Sequence, residues 1–455
     1  MSEAGLRIES LDQDARGIGH VAGKVVFVEQ ALPGETVRYR SFRRKASYEI
    51  ASLVEVLHAS AARVRAPCPS FGVCGGCSMQ HMDAATQVAV KQRVLEDSLA
   101  RIGKVEPEQI YRPVRGPSWR YRFRARLSVR FVAKRGGILI GFHERKSSFV
   151  ADMKTCEIVP EHVSRLLVPL RALIEGLSIR DRLPQIELAV GEDCTVLVLR
   201  ILDPVSVADR ERLTSFATAH GIEFWLQSKG PETAHPLSAT ATPLYFSLPE
   251  FATRIPFRPT DFTQVNHFIN RVLVGRAVRL LAPEPTDRIV DLFCGLGNFS
   301  IPLSRRAREV IGIDGSPGLV ERARTNAAHN GAADRCSFQT RDLFTIVRED
   351  LDALGHIDKL LIDPPREGAL AIAKALAEQG EHGPKRIVYV SCNPGTLARD
   401  AAILVHQAGY RLRGAGIVNM FPQTSHVESL AVFERLPTTP TQGPIPEPDP
   451  GAVGR

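Results

Sequence analysis

The chain has 455 residues, 44% hydrophobic and 24% charged, with 58 Lys and Arg against 50 Asp and Glu and a formal net charge of +8. This is the composition of a globular protein, too long for one ordinary core and suited to two or three domains. No run approaches the roughly 20 apolar residues of a membrane span, residues 1–10 read without a secretory leader, and eight cysteines are too few for a disulfide framework, which predicts a reducing, cytoplasmic setting.

Residues 6–57 read as five or so short strands divided by turn signals, among them a strand at 24–28, the turn Leu32-Pro33-Gly34-Glu35 and a late strand at 51–57. Short strands with glycine punctuation predict a small barrel of the OB type over residues 1–60. Five cations fall between Arg38 and Lys45, beside Tyr39 and Phe42. Residues 61–82 have little periodicity and hold Cys68, Cys74 and Cys77 in a C-x5-C-x2-C spacing, with Cys156 further on. A helical pattern opens at Asp83, a capping residue, puts Val88, Leu95, Leu99 and Ile102 on one face and stops at Gly103.

Between Arg115 and Lys146 stand ten Lys or Arg and one acid, Glu144, with Trp119, Tyr121, Phe123, Phe131 and Phe142 interleaved. Alternation over 119–150 predicts strands carrying Arg120, Arg122, Arg124 and Arg126 on one face. Cations for phosphates beside aromatics for bases form a nucleic-acid footprint; the plainer alternative is a strand pair with a solvated basic face. Residues 61–258 thus read as a mixed central domain, whose helical stretch 83–112 is expected to pack on the domain that follows.

From about Thr260 the texture changes to strand–turn–helix repeats, with apolar strands ending at Phe293, Asp314, Asp363 and Cys392. That predicts a doubly wound α/β domain over 259–435, with ligands at the carboxyl ends of its strands. The tail 436–455 carries six prolines and is expected to be disordered.

The strand 289–293 runs into Cys294-Gly295-Leu296-Gly297-Asn298, a turn whose glycines allow close approach to a ligand. Asp314 follows at the distance that suits a ribose diol, and Asp342 is placed to accept from an adenine amine. The D-x-F-x-G-x-G-N pattern lacks the third glycine of a dinucleotide fingerprint and resembles motif I of class I S-adenosylmethionine methyltransferases. Cys392 sits at the mouth of the strand 387–390, before Asn393-Pro394. Most free cysteines are packing residues; this position makes Cys392 a candidate nucleophile, whose thiol would have to ionise below its ordinary pKa of about 8.5. Asp363-Pro364-Pro365-Arg366 is ambiguous by itself, since Asp-Pro-Pro also occurs in enzymes that methylate amino nitrogens. Glu428, at the start of the last apolar strand, is a candidate base, although a lone Glu there is more often solvated. A thiolate that adds to C6 of a uracil makes C5 nucleophilic, and a base must then remove the C5 proton, so a cysteine and a base are the minimum kit for methylating C5. The uracil must also leave its stack to be reached. Cys194, Cys294 and Cys336 read as packing residues, and His267 and His426 as structural histidines.

Phe262-Thr263-Gln264-Val265-Asn266, the glycine turn, Asp363-Pro364-Pro365-Arg366, Ser391-Cys392-Asn393-Pro394 and Phe421-Pro422-Gln423-Thr424-Ser425-His426-Val427-Glu428 together resemble the RNA uracil-5 methyltransferase family over residues 6–433. The resemblance implies a class I, Rossmann-like methyltransferase domain that uses S-adenosylmethionine, with Cys392 as nucleophile and Glu428 as the proton-abstracting base. It implies Gln264, Phe293, Asn298, Asp314, Asp342 and Asp363 around the cofactor. Many members have an acid where this chain has Asn419, a departure expected to alter the pH–rate profile if that acid tunes Glu428. The N-terminal barrel resembles a TRAM domain in Ile8-Glu9-Ser10-Leu11, Arg16-Gly17 and 23–28 through Glu35. For the cysteines, spacing alone leaves tetrahedral zinc and an iron–sulfur cluster both open. The branch of the family that acts on large-subunit ribosomal RNA carries this pattern with a [4Fe–4S] cluster, which implies Cys68, Cys74, Cys77 and Cys156 as its ligands and the RNA-binding shape of the central domain as its purpose. Barrel and cluster together point to 23S rRNA as partner, met at a single-stranded or unfolded loop, with no membrane and a monomeric chain. A tRNA uridine methyltransferase and a non-catalytic rRNA-binding assembly factor are the alternatives, because the target rests on analogy.

Overall fold

Three sheets carry the architecture, each set up by its own run of alternating or continuous apolar residues. The computed structural model describes residues 5–435, so the proline-rich tail lies outside the described residues. The N-terminal sheet has six strands between Leu6 and His58. Leu6, Ile8, Val26, Val28, Val37 and Ala51 fill its interior, which makes it the small barrel-like unit expected. The basic run lies on the exposed strand Thr36–Arg44.

The central sheet also has six strands, running from Arg124–Val132 to His235–Pro236. The helix Glu161–Glu175 packs Val163, Leu166, Leu167, Leu170 and Ile174 on one of its faces. Its first strand starts five residues later than the alternation suggests. Arg120 has φ of 56°, a left-handed turn, and donates from Nη2 to Glu157 at 2.7 Å. The four arginines therefore do not share a face: Arg122 lies over the Phe142 ring, Arg124 is half-buried, and Arg126 pairs with Glu187 at 2.8 Å. The hydrogen bonds of a turn overrode the period-two pattern at its edge.

Helix α1 (Ala84–Ser98) opens on Asp83, whose carboxylate accepts from the amides of Ala85 and Thr86. Val88, Leu95 and Leu99 face inward as expected, but Ile102 is 56% exposed. The chain widens into one π turn, Leu99–Gly103, which rotates Ile102 off the apolar stripe. Residues beyond it are extended: Glu108, Tyr111 and Val114 donate backbone hydrogen bonds to Leu412, Ala415 and Ile417. The helix is thus shorter than 83–112, and the whole segment does pack on the C-terminal sheet.

That sheet has seven strands: β1 (Arg288–Leu292), β2 (Glu309–Asp314), β3 (Cys336–Thr340), β4 (Lys359–Ile362), β5 (Arg386–Ser391), β6 (Arg411–Val418) and β7 (Glu428–Glu434). Their order is β3-β2-β1-β4-β5-β7-β6, parallel except for the strand pairs that β7 makes. Alternate residues serve two cores. Ile289, Leu361, Val388 and Leu430 face α2 (His267–Leu281) and the hairpin Leu244–Leu248/Thr253–Phe257, whereas Val290, Leu360, Ile387 and Ala431 face α1 and α3 (Pro394–His406). The hairpin shares its core with α2, so packing continues across residue 258. Among the described residues no helix is long and apolar enough to cross a membrane.

Candidate active site

The strand order reverses between β1 and β4, and an open α/β sheet binds ligands at such a switch point, beyond the carboxyl ends of its strands. A cavity of about 570 Å³ lies there. Each strand delivers one residue to it: Phe293 after β1, Asp314 at the end of β2, Asp342 after β3, Asp363 after β4 and Cys392 after β5. Glu428 arrives from the other direction. Because β7 is antiparallel, its first residue lies at the same edge, and the register Ser391↔Ser429 sets Glu428 opposite Cys392. Gln264 completes the lining from the loop before α2.

The glycine turn is wound tightly. Phe293, Gly295 and Gly297 all have positive φ, 64°, 53° and 85°. Phe293 is not a glycine, so its left-handed backbone is strain held by the fold. The turn presents its ring 5.7 Å from that of Phe344, giving the cavity two aromatic walls. Asp314 braces the turn, accepting from the amide of Gly295 at 3.1 Å and from that of Ser316 at 2.8 Å. Asp342 accepts from the amide of Phe344 at 2.9 Å.

Burial dominates the acids on the reaction side. It raises Asp363 to about 7 and lifts Glu428 well above the usual carboxylate range, with the Asp363 charge adding to the second effect. No cation pairs with either among the described residues. Cys392 is pushed up to about 12, by burial first and then by Glu428 and Asp363, against which Arg366 pulls down. The thiol is thus held further from ionisation than a free cysteine, opposite to what a nucleophile needs, since the protein alone surrounds it with acids.

Seven of the eight residues expected at the catalytic and cofactor positions line this cavity. Asn298 does not: its side-chain amide pairs reciprocally with that of Asn270 on α2, at 2.9 and 3.0 Å, and so ties the turn to the helix behind it. His426, read as structural, is a lining residue at the rim, with Nδ1 3.1 Å from Arg366 Nη2; burial and that guanidinium lower it to about 4. His267 does fit a structural reading, buried and stacked on Phe123 at 4.6 Å. The exposed rings of Phe262 and Phe344 also line the cavity. Phe344 carried no sequence signal except its place two residues after Asp342. Cys294 and Cys336 are buried and Cys194 partly so, all packed in one core cluster as expected.

The other four cysteines converge. Cys68, Cys74, Cys77 and Cys156 line one small pocket with Phe142 and Met153. Burial raises Cys74 to about 11 and Cys77 to about 12, and each thiol feels the others. Backbone amides point at the sulfurs, Gly76 N at Cys74 Sγ at 3.4 Å and those of Ile158 and Val159 at Cys156. Among the described residues no group of three or more His, Cys, Asp or Glu is drawn together tightly enough for a metal ion.

Residues 83–436 match the family model described as tRNA (uracil-5-)-methyltransferase. The chain is 61% identical over 444 residues to "23S rRNA (uracil(1939)-C(5))-methyltransferase RlmD" of Cupriavidus pinatubonensis, covering 95% of this chain and 96% of that one. It is equally similar to proteins of the same name from Cupriavidus necator (94% and 100% covered) and Burkholderia thailandensis (94% and 95%). Among solved structures, a tRNA (uracil-54, C5)-methyltransferase of Pyrococcus abyssi in complex with S-adenosyl-L-homocysteine superposes with a TM-score of 0.72 over 94% of this chain and all of that one, at 24% identity, which is a likeness of fold.

Proposed function

The chain belongs to the tRNA (uracil-5-)-methyltransferase family, and from that membership we propose that it transfers a methyl group from S-adenosylmethionine to C5 of a uridine in 23S rRNA, at the position 1939 named for its relatives. The observation that carries the chemistry is the pairing of Cys392 with Glu428 at facing strand ends in one cavity.

Cys392 gives up its proton to solvent and adds as the thiolate to C6 of the uracil, and C5, now electron-rich, takes the methyl group. Glu428 removes the C5 proton and the sulfur leaves C6, which restores the ring. A carboxylate buried as Glu428 is makes a strong base once ionised. Gln264, Phe293, Asp314, Asp342 and Asp363 hold S-adenosylmethionine, which when bound supplies the methyl group and a positive sulfonium; the acids suit a cation. Arg366 lowers the thiol of Cys392. Asn298 shapes this site from behind through Asn270.

The four converging cysteines, with amides aimed at their sulfurs, support a [4Fe–4S] cluster held by Cys68, Cys74, Cys77 and Cys156. Such a cluster would act structurally, tying residues 68–77 to Cys156. We keep the division into a TRAM-like unit (1–60), a central domain (61–258) and a catalytic domain (259–435), with α1 packed on the last. A cytoplasmic monomer acting on a single-stranded or unfolded loop completes the reading.

Methyl transfer from labelled cofactor to unmodified 23S rRNA and, in parallel, to tRNA tests the proposal. Label is expected in the ribosomal RNA alone, and none with Cys392→Ala, which should still bind the cofactor. RNA containing fluorinated uridine should trap a covalent adduct on the wild-type protein, because fluorine at C5 cannot be abstracted. Full-rate product from Cys392→Ala excludes the covalent route, and label in tRNA moves the target.

A further inference from the structure

The loop between β6 and β7, residues 419–427, carries Phe421 and His426 into the active cavity and leads into Glu428. Its central residue, Gln423, is buried and has φ of 68°, a left-handed backbone that a non-glycine residue adopts only under constraint. The constraint comes from the region of the four cysteines. The amides of Ser78 and Met79, directly after Cys77, donate to the Gln423 carbonyl at 2.9 and 3.0 Å. Ser78 Oγ accepts from the amide of Ser425 at 2.9 Å. Gln87, 2% exposed on α1, accepts from the amide of Gln423 at 2.9 Å and turns its Nε2 toward Gln423 Oε1 at 2.9 Å and the carbonyl of Met82 at 2.8 Å. Tyr121, fully buried in the core that holds Cys74 and Cys156, donates its hydroxyl to the Pro422 carbonyl at 2.6 Å.

From this array we propose that Gln87 and Tyr121 are positioning residues for the reaction, which fix the 419–427 loop against the cysteine pocket so that the geometry of that pocket is transmitted to Glu428. The inference rests on the reaction assigned above. The link is short: Ser78 is one residue from Cys77, and Ser425 is three from Glu428. A loop held in a strained conformation relaxes when its clamps are removed, and a small displacement of a base or a base-stacking ring is costly to rate while leaving the opposite, cofactor-binding wall untouched.

The test uses the full-length protein, carrying Tyr121→Phe or Gln87→Met with the four cysteines intact, and separately Cys68→Ser, which perturbs the cysteine pocket itself. Tyr121→Phe keeps the ring in its core and removes only the hydroxyl. Four quantities are read: S-adenosylmethionine affinity by calorimetry, adduct formation with fluorinated-uridine RNA, the single-turnover rate of adduct breakdown to methylated product on uridine RNA, and amide hydrogen exchange of the peptide spanning 419–428. Both positioning variants are expected to bind the cofactor with unchanged affinity, still form the adduct with fluorinated-uridine RNA, release methylated product roughly tenfold to a hundredfold more slowly, and exchange faster at 419–428. Cys68→Ser, which touches no residue of the loop, is expected to speed exchange in the same peptide. Wild-type exchange at 419–428 in Tyr121→Phe or in Cys68→Ser overturns the proposal. Absence of any adduct with the wild-type protein would instead sink the assigned reaction, and the exchange measurement would still decide the clamp.

Discussion

Burial without a counter-ion sets the protonation of the cavity, and Asp363 shows it most simply. Its carboxyl ionises near 3.8 when free and near 7 in the fold, with desolvation as the cause. The folded state therefore holds a proton over this interval that the unfolded chain has released. The stabilising contribution is complete below about 3.8 and is lost as pH rises through 7. Asp363→Asn removes that dependence. The melting temperature of the wild type relative to Asp363→Asn is expected to fall between pH 4.5 and 8 and to level off above; a gap that stays constant over this range refutes the assignment. The same desolvation explains why Cys392 was legible as a position and not as a state. Its place at a strand mouth follows from the sequence, whereas its thiol, raised to about 12, depends on Glu428 and Asp363, brought in from 36 and 29 residues away. Asn298 failed for a related reason: a motif fixes which residue follows Gly297 but not whether its side chain turns to the ligand or to Asn270 behind it.

At the level of elements, α1 and the 419–427 loop meet through a buried lysine. Lys91 is 1% exposed, and its Nζ donates to Asn419 Oδ1 and to the Phe421 carbonyl, both at 2.8 Å. Neither partner is charged, and burial lowers Lys91 to about 7 from 10.5. The sequence flagged Asn419 as the place of a missing acid; the structure puts that vacancy against Lys91, which no helical periodicity could have marked as buried, since lysine usually lies on a solvated face. Here the unfolded chain holds the extra proton, so stability rises with pH from about 7 toward 10.5. Lys91→Met should abolish that rise, and Asn419→Asp should abolish it too, by keeping the lysine charged beside a carboxylate. Melting curves between pH 6.5 and 9.5 distinguish this from a lysine ionised throughout, for which the wild type would already be flat. The strands β1, β2, β4 and β5 were readable because each is a short apolar run bounded by turn signals. The segment 120–123 was not, because its alternation was broken by a left-handed turn at Arg120 that only the bond to Glu157 reveals.

Across the whole molecule, the two basic runs that stand about seventy residues apart in sequence come together. The Lys146 ammonium lies 4.6 Å from the centroid of the Phe42 ring and pairs with Glu29, so the two runs touch where the N-terminal sheet meets the central one, beside an apolar contact of Ala15 and Leu32 with Met79 and Met82. Pairing within the N-terminal sheet consumes some of the charge: Arg38 pairs with Glu55, and Arg44 lies 3.6 Å from Glu49, both on the neighbouring strand. Arg40 and Arg43 are exposed and have no acidic partner among the described residues. They are the cations of this strand left for phosphates if the barrel-like unit meets the RNA, and a merely solvated face if it does not. The two readings differ in salt dependence. Each phosphate contact to single-stranded RNA contributes about 0.7 to the slope of log affinity against log salt. Arg40→Ala combined with Arg43→Ala is expected to weaken RNA binding at low salt and to flatten that slope by about 0.7 to 1.4, while turnover at saturating RNA stays at the wild-type rate because neither residue lines the cavity. Titrations of the RNA at several salt concentrations measure it, and an unchanged slope assigns the strand Thr36–Arg44 to solvent and leaves RNA binding to the central domain.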